Sequence, residues 1–251
     1  MKTALVTGAT AGFGLAICKS LVSAGYKVIG TGRRAERLAE IKAELGENFL
    51  PLAFDVSDAK QTEEALANRP EGWKSIDLLV NNAGLALGLE PANKVDLQDW
   101  YQMIDTNIKG LVTVTRLILP EMVEKNSGHI INLGSIAGTY PYPGGNVYGA
   151  TKAFVKQFSL NLRADLAGTA IRVSNVEPGL SGGTEFSNVR FKGDDEKAAK
   201  VYENVQSVTP EDIANIVLWL NQQPPHVNIN RVEVMPTAQT FAPLNVHREA
   251  N

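Results

Sequence analysis

A chain of 251 residues, 44% of them hydrophobic, can bury a large core, and its length suits one α/β domain. Lys and Arg total 24 against 27 Asp and Glu, a formal charge of −3, so no global basic field draws the chain to nucleic acid or an anionic membrane. The single cysteine, Cys18, excludes an internal disulfide, and with only three histidines beside it no metal site is expected. No apolar run approaches the roughly 20 residues that span a bilayer, and glycines interrupt the N-terminus before a signal-peptide core forms, which predicts a soluble, cytoplasmic protein.

In chain order, the first predicted strand, "TALVT", runs straight into "TGATAGFG". Gly8, Gly12 and Gly14 there make a tight turn opening a helix at about Phe13. Glycines let backbone approach phosphate oxygens, and the helix N-terminus adds unpaired N–H groups. The second strand, "KVIGT", is followed by Arg33 and Arg34 at a helix start, the end where the dipole disfavours cations. The pair is either exposed and tempered by Glu36, or a clamp for an anion. A βαβ unit that binds NAD carries Asp or Glu about 20 residues after the glycine loop, to hold the ribose 2′-hydroxyl. Here arginines stand instead, and guanidinium groups suit a 2′-phosphate. NADP is therefore the expected cofactor, with Asp55 at the end of the third strand, "NFLPLAF", as partner for the adenine amino group.

The fourth strand, "IDLLVNN", precedes an apolar-patterned helical segment, Trp100 to Val123, interrupted by Asn107, a poor helix former. The fifth, "HIINLG", leads to Ser135. The segment "NVYGATKAF" then places Tyr148 and Lys152 one turn apart on a helix beginning near Asn146. A phenol with a pKa near 10 is a poor acid-base catalyst at neutral pH, and an ammonium beside it favours the phenolate. The sixth strand is "IRVSNVE". After it, Pro178 to Lys200 is irregular, glycine-punctuated and charged, which predicts a mobile lid at about 180–204. The seventh strand is "INRVEVM". This alternation predicts a single α/β domain, residues 1–251, around a doubly wound, seven-stranded parallel sheet of Rossmann type, its ligand crevice at the carboxyl ends of the strands.

Taken together, "TGATAGFG", "NNAG" at Asn81 to Gly84, Asn107 in "DTNIKG", Ser135 followed by "YGATK", and "PG" at Pro178-Gly179 resemble a short-chain dehydrogenase/reductase over essentially the whole chain. The resemblance implies that Tyr148 is the general acid or base, that Lys152 binds the nicotinamide ribose and tunes Tyr148, and that Ser135 orients the substrate oxygen. Asn107 would complete a tetrad, a local helix distortion supporting a water that links Lys152 to solvent. Cofactor contacts would come from Gly8, Thr10, Gly12, Phe13 and Gly14, from Arg33, Arg34, Asp55 and Val56, from Asn82, Ala83 and Gly84, and from Pro178, Gly179 and Thr184. Asn81 would stabilise the sheet and approach the cofactor, and Thr184 would meet the carboxamide.

Longer strings, "NNAGLALGLEPA", "GGNVYGATKAFVKQFSLNLRADL", "EPGLSGGTEFSNVRFKGDD" and the tail "LNVHR", are similar to the NADP-dependent 3-hydroxy acid dehydrogenases of that family, which also reduce malonic semialdehyde and oxidise serine or allo-threonine. Ser181 stands where an apolar residue is expected. A short hydroxy acid needs a cation for its carboxylate, and Arg190 and Lys192 are the candidates. A reductase of 3-ketoacyl thioesters or general carbonyl compounds shares the tetrad, and a dinucleotide-binding sensor shares the fold. The resemblance also implies a homotetramer packed through the helices that begin near Trp100 and Asn146.

Overall fold

The apolar runs pair as seven parallel strands in the computed structural model, which describes residues 1–242; the tail string "LNVHR" lies outside them. The strands are β1 (Thr3–Val6), β2 (Lys27–Gly32), β3 (Phe49–Ala53), β4 (Leu78–Asn81), β5 (Gly128–Leu133), β6 (Ile171–Pro178) and β7 (Arg231–Val234), in the order β3-β2-β1-β4-β5-β6-β7. The order reverses between β1 and β4, where Val6 lies opposite Gly30 on one side and Val80 on the other. A doubly wound sheet opens its ligand crevice at such a reversal, beyond the strand ends.

The connecting helices are α1 (Gly12–Ser23), α2 (Ala35–Leu45), α3 (Ala59–Ala67), α4 (Leu97–Ile104), α5 (Leu111–Glu124), α6 (Asn146–Asp165), α7 (Phe186–Arg190), α8 (Asp195–Lys200) and α9 (Pro210–Gln222). Alternate strand residues face opposite layers. Ala4, Val6, Leu78, Val80 and Ile131 pack with Ile17 and Leu21 of α1 and Ile213 and Val217 of α9. Leu5, Leu79, Ile130 and Val173 pack with Val114 and Ile118 of α5 and Leu162 of α6. Each such valine, leucine or isoleucine contributes about 1.5–3 kcal/mol by leaving water, which locks the strand register and so the positions of the strand ends.

The segment from Trp100 to Val123 is not one regular helix. A π-helical turn, Asp105–Gly110, separates α4 from α5, and Asn107 lies in it. The Asn107 carboxamide bonds the backbone of Leu85, 22 positions earlier, through both its oxygen and its nitrogen, which holds the turn against the loop after β4. At the opposite end of the sheet, His129 is enclosed by Ser174 at 2.9 Å and Asn221 at 3.2 Å. Burial pushes this imidazole down to about 3, with the Arg172 charge acting in the same direction, so it stays neutral.

Between β6 and α9 the chain leaves the sheet and returns. Its ends are pinned where Gly182 N–H donates to Val208 C=O at 3.0 Å and Val208 N–H to Leu180 C=O at 3.1 Å. Ser181 forms the isolated bridge to Val208 and donates its hydroxyl to Gly179 C=O, so its side chain caps the turn instead of entering an apolar contact.

Candidate active site

The loop after β1 is shaped by glycine at particular positions. Gly8 and Gly12 have φ of 68° and 50°, the left-handed region. A Cβ at Gly14 would stand 2.1 Å from Gly8 C=O, so only glycine lets α1 start this close to the turn. Ala11 precedes α1 without a side-chain cap, and its first-turn N–H groups are left for a ligand. This cradle suits a pyrophosphate, with the helix dipole adding positive potential. The loop after β4 closes its far side: Asn82 Nδ2 donates to Thr7 and Gly8 carbonyls at 2.8 and 3.2 Å, and Thr7 Oγ1 accepts from the N–H groups of Asn82 and Ala83. Asn81 does not reach the crevice. Its amide is buried and donates to Thr115 and Asn132, tying β4 to α5 and β5, because its side chain takes the face opposite to that of its neighbour.

At the end of β2 the two arginines have different surroundings. Arg33 is two-thirds exposed, and the nearest carboxylate oxygen among the described residues is Asp55 Oδ2 at 3.8 Å. Asp55 Oδ1 is engaged by the Ser57 N–H and hydroxyl. Arg34 lies between the glycine loop and the segment before α7. It donates to Thr10 Oγ1 at 2.9 Å and, through Nη1 and Nη2, to the two carboxylate oxygens of Glu185, each at 3.0 Å.

The chemical end of the crevice lies beyond β5. Ser135 starts a short 3₁₀ turn, its Oγ accepting from Ala137 N–H and donating to Pro178 C=O. Tyr148 and Lys152, on one face of α6, are both 7% exposed. Lys152 Nζ donates to Leu133 C=O at 2.8 Å and lies 5.9 Å from the Tyr148 ring centroid. Burial pushes Tyr148 up to about 12, opposed by the Ser135 hydroxyl and the Arg190 charge, and burial pushes Lys152 down to about 8. Burial is the largest influence on this phenol, and the groups that lower it are the Ser135 hydroxyl and the Arg190 guanidinium.

Asn107 lies behind this pair. Its oxygen accepts from Leu85 N–H, and its nitrogen donates to Leu85 C=O and Thr151 Oγ1. Both of its amide hydrogens are therefore taken by protein partners. A Cβ at Gly84 would fall 3.2 Å from Asn107 Oδ1 and 3.4 Å from Lys152 Nζ, so a side chain there would press on both.

Arg190 reaches in from α7. Its guanidinium carbon is 5.2 Å from the Tyr148 ring centroid, 5.3 Å from Phe186 and 5.6 Å from Tyr142, and Nη2 donates to Tyr142 Oη at 2.5 Å. Its Nε is buried without a partner among the described residues. Lys192, the other candidate cation, pairs instead with Asp99 at 2.8 Å and does not line the cavity, because a left-handed backbone at φ 53° turns the chain away. Sequence reasoning overlooked Tyr142, Glu185 and Phe186. The one available signal was "YPYPGG", aromatic side chains in a loop of prolines and glycines just before the helix of Tyr148.

These groups share one cavity of about 900 Å³. Thr10, Phe13, Val56, Ala83, Gly84, Pro178, Gly179 and Thr184 all line it. A phosphate cradle at a strand-order reversal, continuous with a buried Tyr–Lys pair, belongs to nucleotide-dependent oxidoreductases. The chain matches the short chain dehydrogenase family over residues 2–195, and it belongs to that family.

A probable NADP-dependent dehydrogenase of Haemophilus influenzae is 80% identical over 247 residues, 98% of each chain. The NADP-dependent 3-hydroxy acid dehydrogenase YdfG of Salmonella typhi is 64% identical over 244 residues, 97% of this chain and 98% of that one. Among solved structures, the closed form of a serine dehydrogenase complexed with NADP⁺ superimposes with a TM-score of 0.97 at 62% identity, covering 98% of this chain and all of that one.

Proposed function

We propose that this protein is an NADP-dependent dehydrogenase of short 3-hydroxy acids, with serine, allo-threonine and 3-hydroxypropionate as alcohols and malonic semialdehyde as the carbonyl partner of the last. The observation that carries this reading is Arg190, a half-buried cation whose Nε is buried and has no partner among the described residues, held 5.2 Å from the Tyr148 ring. A carboxylate bound there leaves a hydroxyl two carbons away beside the phenol. The names of the Salmonella relative and the NADP⁺-bound structure support the same substrate class and cofactor.

NADP, when bound, supplies the hydride acceptor at C4 of its nicotinamide. The residues do the rest. Arg190 holds the carboxylate in a charge-assisted hydrogen bond, Ser135 donates to the substrate oxygen, and Tyr148 Oη takes the hydroxyl proton in oxidation and returns it in reduction. Lys152 would donate to the nicotinamide ribose, and its ammonium on the same helix face would favour the phenolate of Tyr148 in the loaded site. Asn107 holds the π turn and the loop of Gly84 against Lys152, and with that geometry the water connecting Lys152 to solvent. Residues of about 180–204 act as the lid that brings Arg190 over the substrate and excludes water. Primary alcohols give semialdehydes, and secondary ones give β-keto acids that can lose CO₂.

The finer assignments have their own support. Tyr101 on α4 and Phe154 and Leu160 on α6 are large apolar side chains at 50%, 36% and 43% exposure, which supports a homotetramer packed through these helices. Cys18 is a buried free thiol, its pKa raised by desolvation, which suits the cytoplasm. Among the described residues no helix is long and apolar enough to cross a membrane. Replacing Tyr148 by Phe tests the catalytic assignment: turnover of serine falls at least a thousandfold while NADPH still binds, and retained turnover would refute the role of the phenol.

A further inference from the structure

The arginines expected to clamp one phosphate together are engaged in different tasks. Arg34 donates through Nε and Nη2 to Thr10 on the glycine loop and through Nη1 and Nη2 to Glu185, a residue 151 positions away. Its planar fork is thereby largely occupied, whereas Arg33, among the described residues, makes only the 3.8 Å contact with Asp55. Thr10, Arg34 and Glu185 all line the cavity. Beside Glu185, Thr184 lies so near the glycine loop that a Cβ at Gly12 would be 3.1 Å from its side chain. The chain before α7 therefore crosses the crevice at the phosphate cradle, and the Arg34–Glu185 pair fastens it there.

The charges sharpen the point. A carboxylate is poorly placed next to a cradle for pyrophosphate unless a cation holds it, and Arg34 is that cation. Resting on the assignment of this crevice to NADP, the geometry points to a division of labour. Arg33 reads the 2′-phosphate, whereas Arg34 and Glu185 form a strap that holds the lid across the bound dinucleotide and slows its exit whether or not the 2′-phosphate is present. Glu185 is thus a positioning residue for cofactor exchange. Both partners are about half exposed, so the strap is worth only a modest factor, and salt weakens it.

The test is stopped-flow release of NADPH and NADH from the intact enzyme, with equilibrium affinities for both, in the wild type, Arg33→Ala, Arg34→Gln, Glu185→Gln and the Arg34→Gln/Glu185→Gln double variant. Glu185→Gln is expected to release both nucleotides about fivefold faster, with the NADPH-to-NADH affinity ratio held within twofold. Added salt should speed release from the wild type more than from this variant. Arg33→Ala should cut the affinity ratio at least tenfold. Arg34→Gln, which leaves the Glu185 carboxylate uncompensated, should bind more weakly than the double variant. Release rates unchanged in Glu185→Gln, or an affinity ratio that falls as far as in Arg33→Ala, would overturn the strap. An unchanged ratio in Arg33→Ala would overturn the phosphate assignment separately, whatever Glu185 does.

Discussion

Replacing Arg190 by alanine should separate substrates that carry a carboxylate from those that do not. A hydrogen bond between charged groups in a partly buried site contributes about 1.5–3 kcal/mol, which corresponds to a loss of roughly 10- to 150-fold in kcat/KM for serine or 3-hydroxypropionate. Uncharged alcohols of the same size, such as 1,3-propanediol, never used that bond. Their kcat/KM should change by less than about threefold, the residue of lost packing against Tyr142, Tyr148 and Phe186. A second effect must be common to both substrates. The Arg190 charge lowers the Tyr148 pKa, so its removal moves the rise of kcat in oxidation to higher pH for charged and neutral alcohols alike. Arg190→Met keeps much of the aliphatic stem and removes the charge, which distinguishes packing from electrostatics. Steady-state kinetics across pH 7 to 10 with both alcohols reads all three effects. Equal losses for the two alcohols in both variants would refute the assignment of Arg190 to the carboxylate.

The glycine cradle and the buried histidine give further predictions. Gly14→Ala places a methyl 2.1 Å from Gly8 C=O, so backbone must shift by about an ångström; overpacking of this kind costs about 1–3 kcal/mol, and NADPH affinity measured by fluorescence should fall at least tenfold with a lower Tm. His129, held near 3 by burial, binds no proton in the native state at pH 5, whereas the unfolded chain binds one below about pH 6.5. Its contribution to stability is therefore full above pH 6.5 and is lost at up to about 1.4 kcal/mol per unit as pH falls toward 3. Urea denaturation between pH 7 and 4.5 should show a shallower pH dependence for His129→Gln than for the wild type, and parallel slopes would contradict the buried neutral imidazole.

Much of this site was legible because its signals are local. A strand running into spaced glycines, or Tyr148 and Lys152 one helical turn apart, needs only short-range geometry, and the structure brings these groups to one crevice. Features set by distant pairing were not legible. The partner of Arg34 is Glu185, and nothing local announces a contact between the end of β2 and the approach to α7. Arg190 and Lys192, two residues apart, were both candidates in sequence, and only the bidentate reach of a guanidinium favoured Arg190. A left-handed backbone at Lys192 and the Asp99 carboxylate separate them. A helix distortion at Asn107 was expected, but its partner, the backbone of Leu85, lies 22 positions away and nothing in the Asn107 segment announces it. The height of the Tyr148 pKa depends on burial, which residue spacing does not report.

The central claim, that this crevice passes a hydride between NADP and the 3-hydroxyl carbon of a short acid, is tested most directly by steady-state oxidation of serine, allo-threonine and 3-hydroxypropionate with NADP⁺ and NAD⁺ in parallel. Saturable turnover of these acids with NADP⁺, at least tenfold more efficient than with NAD⁺, is the predicted result. Efficient reduction of 3-ketoacyl thioesters with no turnover of the three acids, or equal use of the two cofactors, would contradict it.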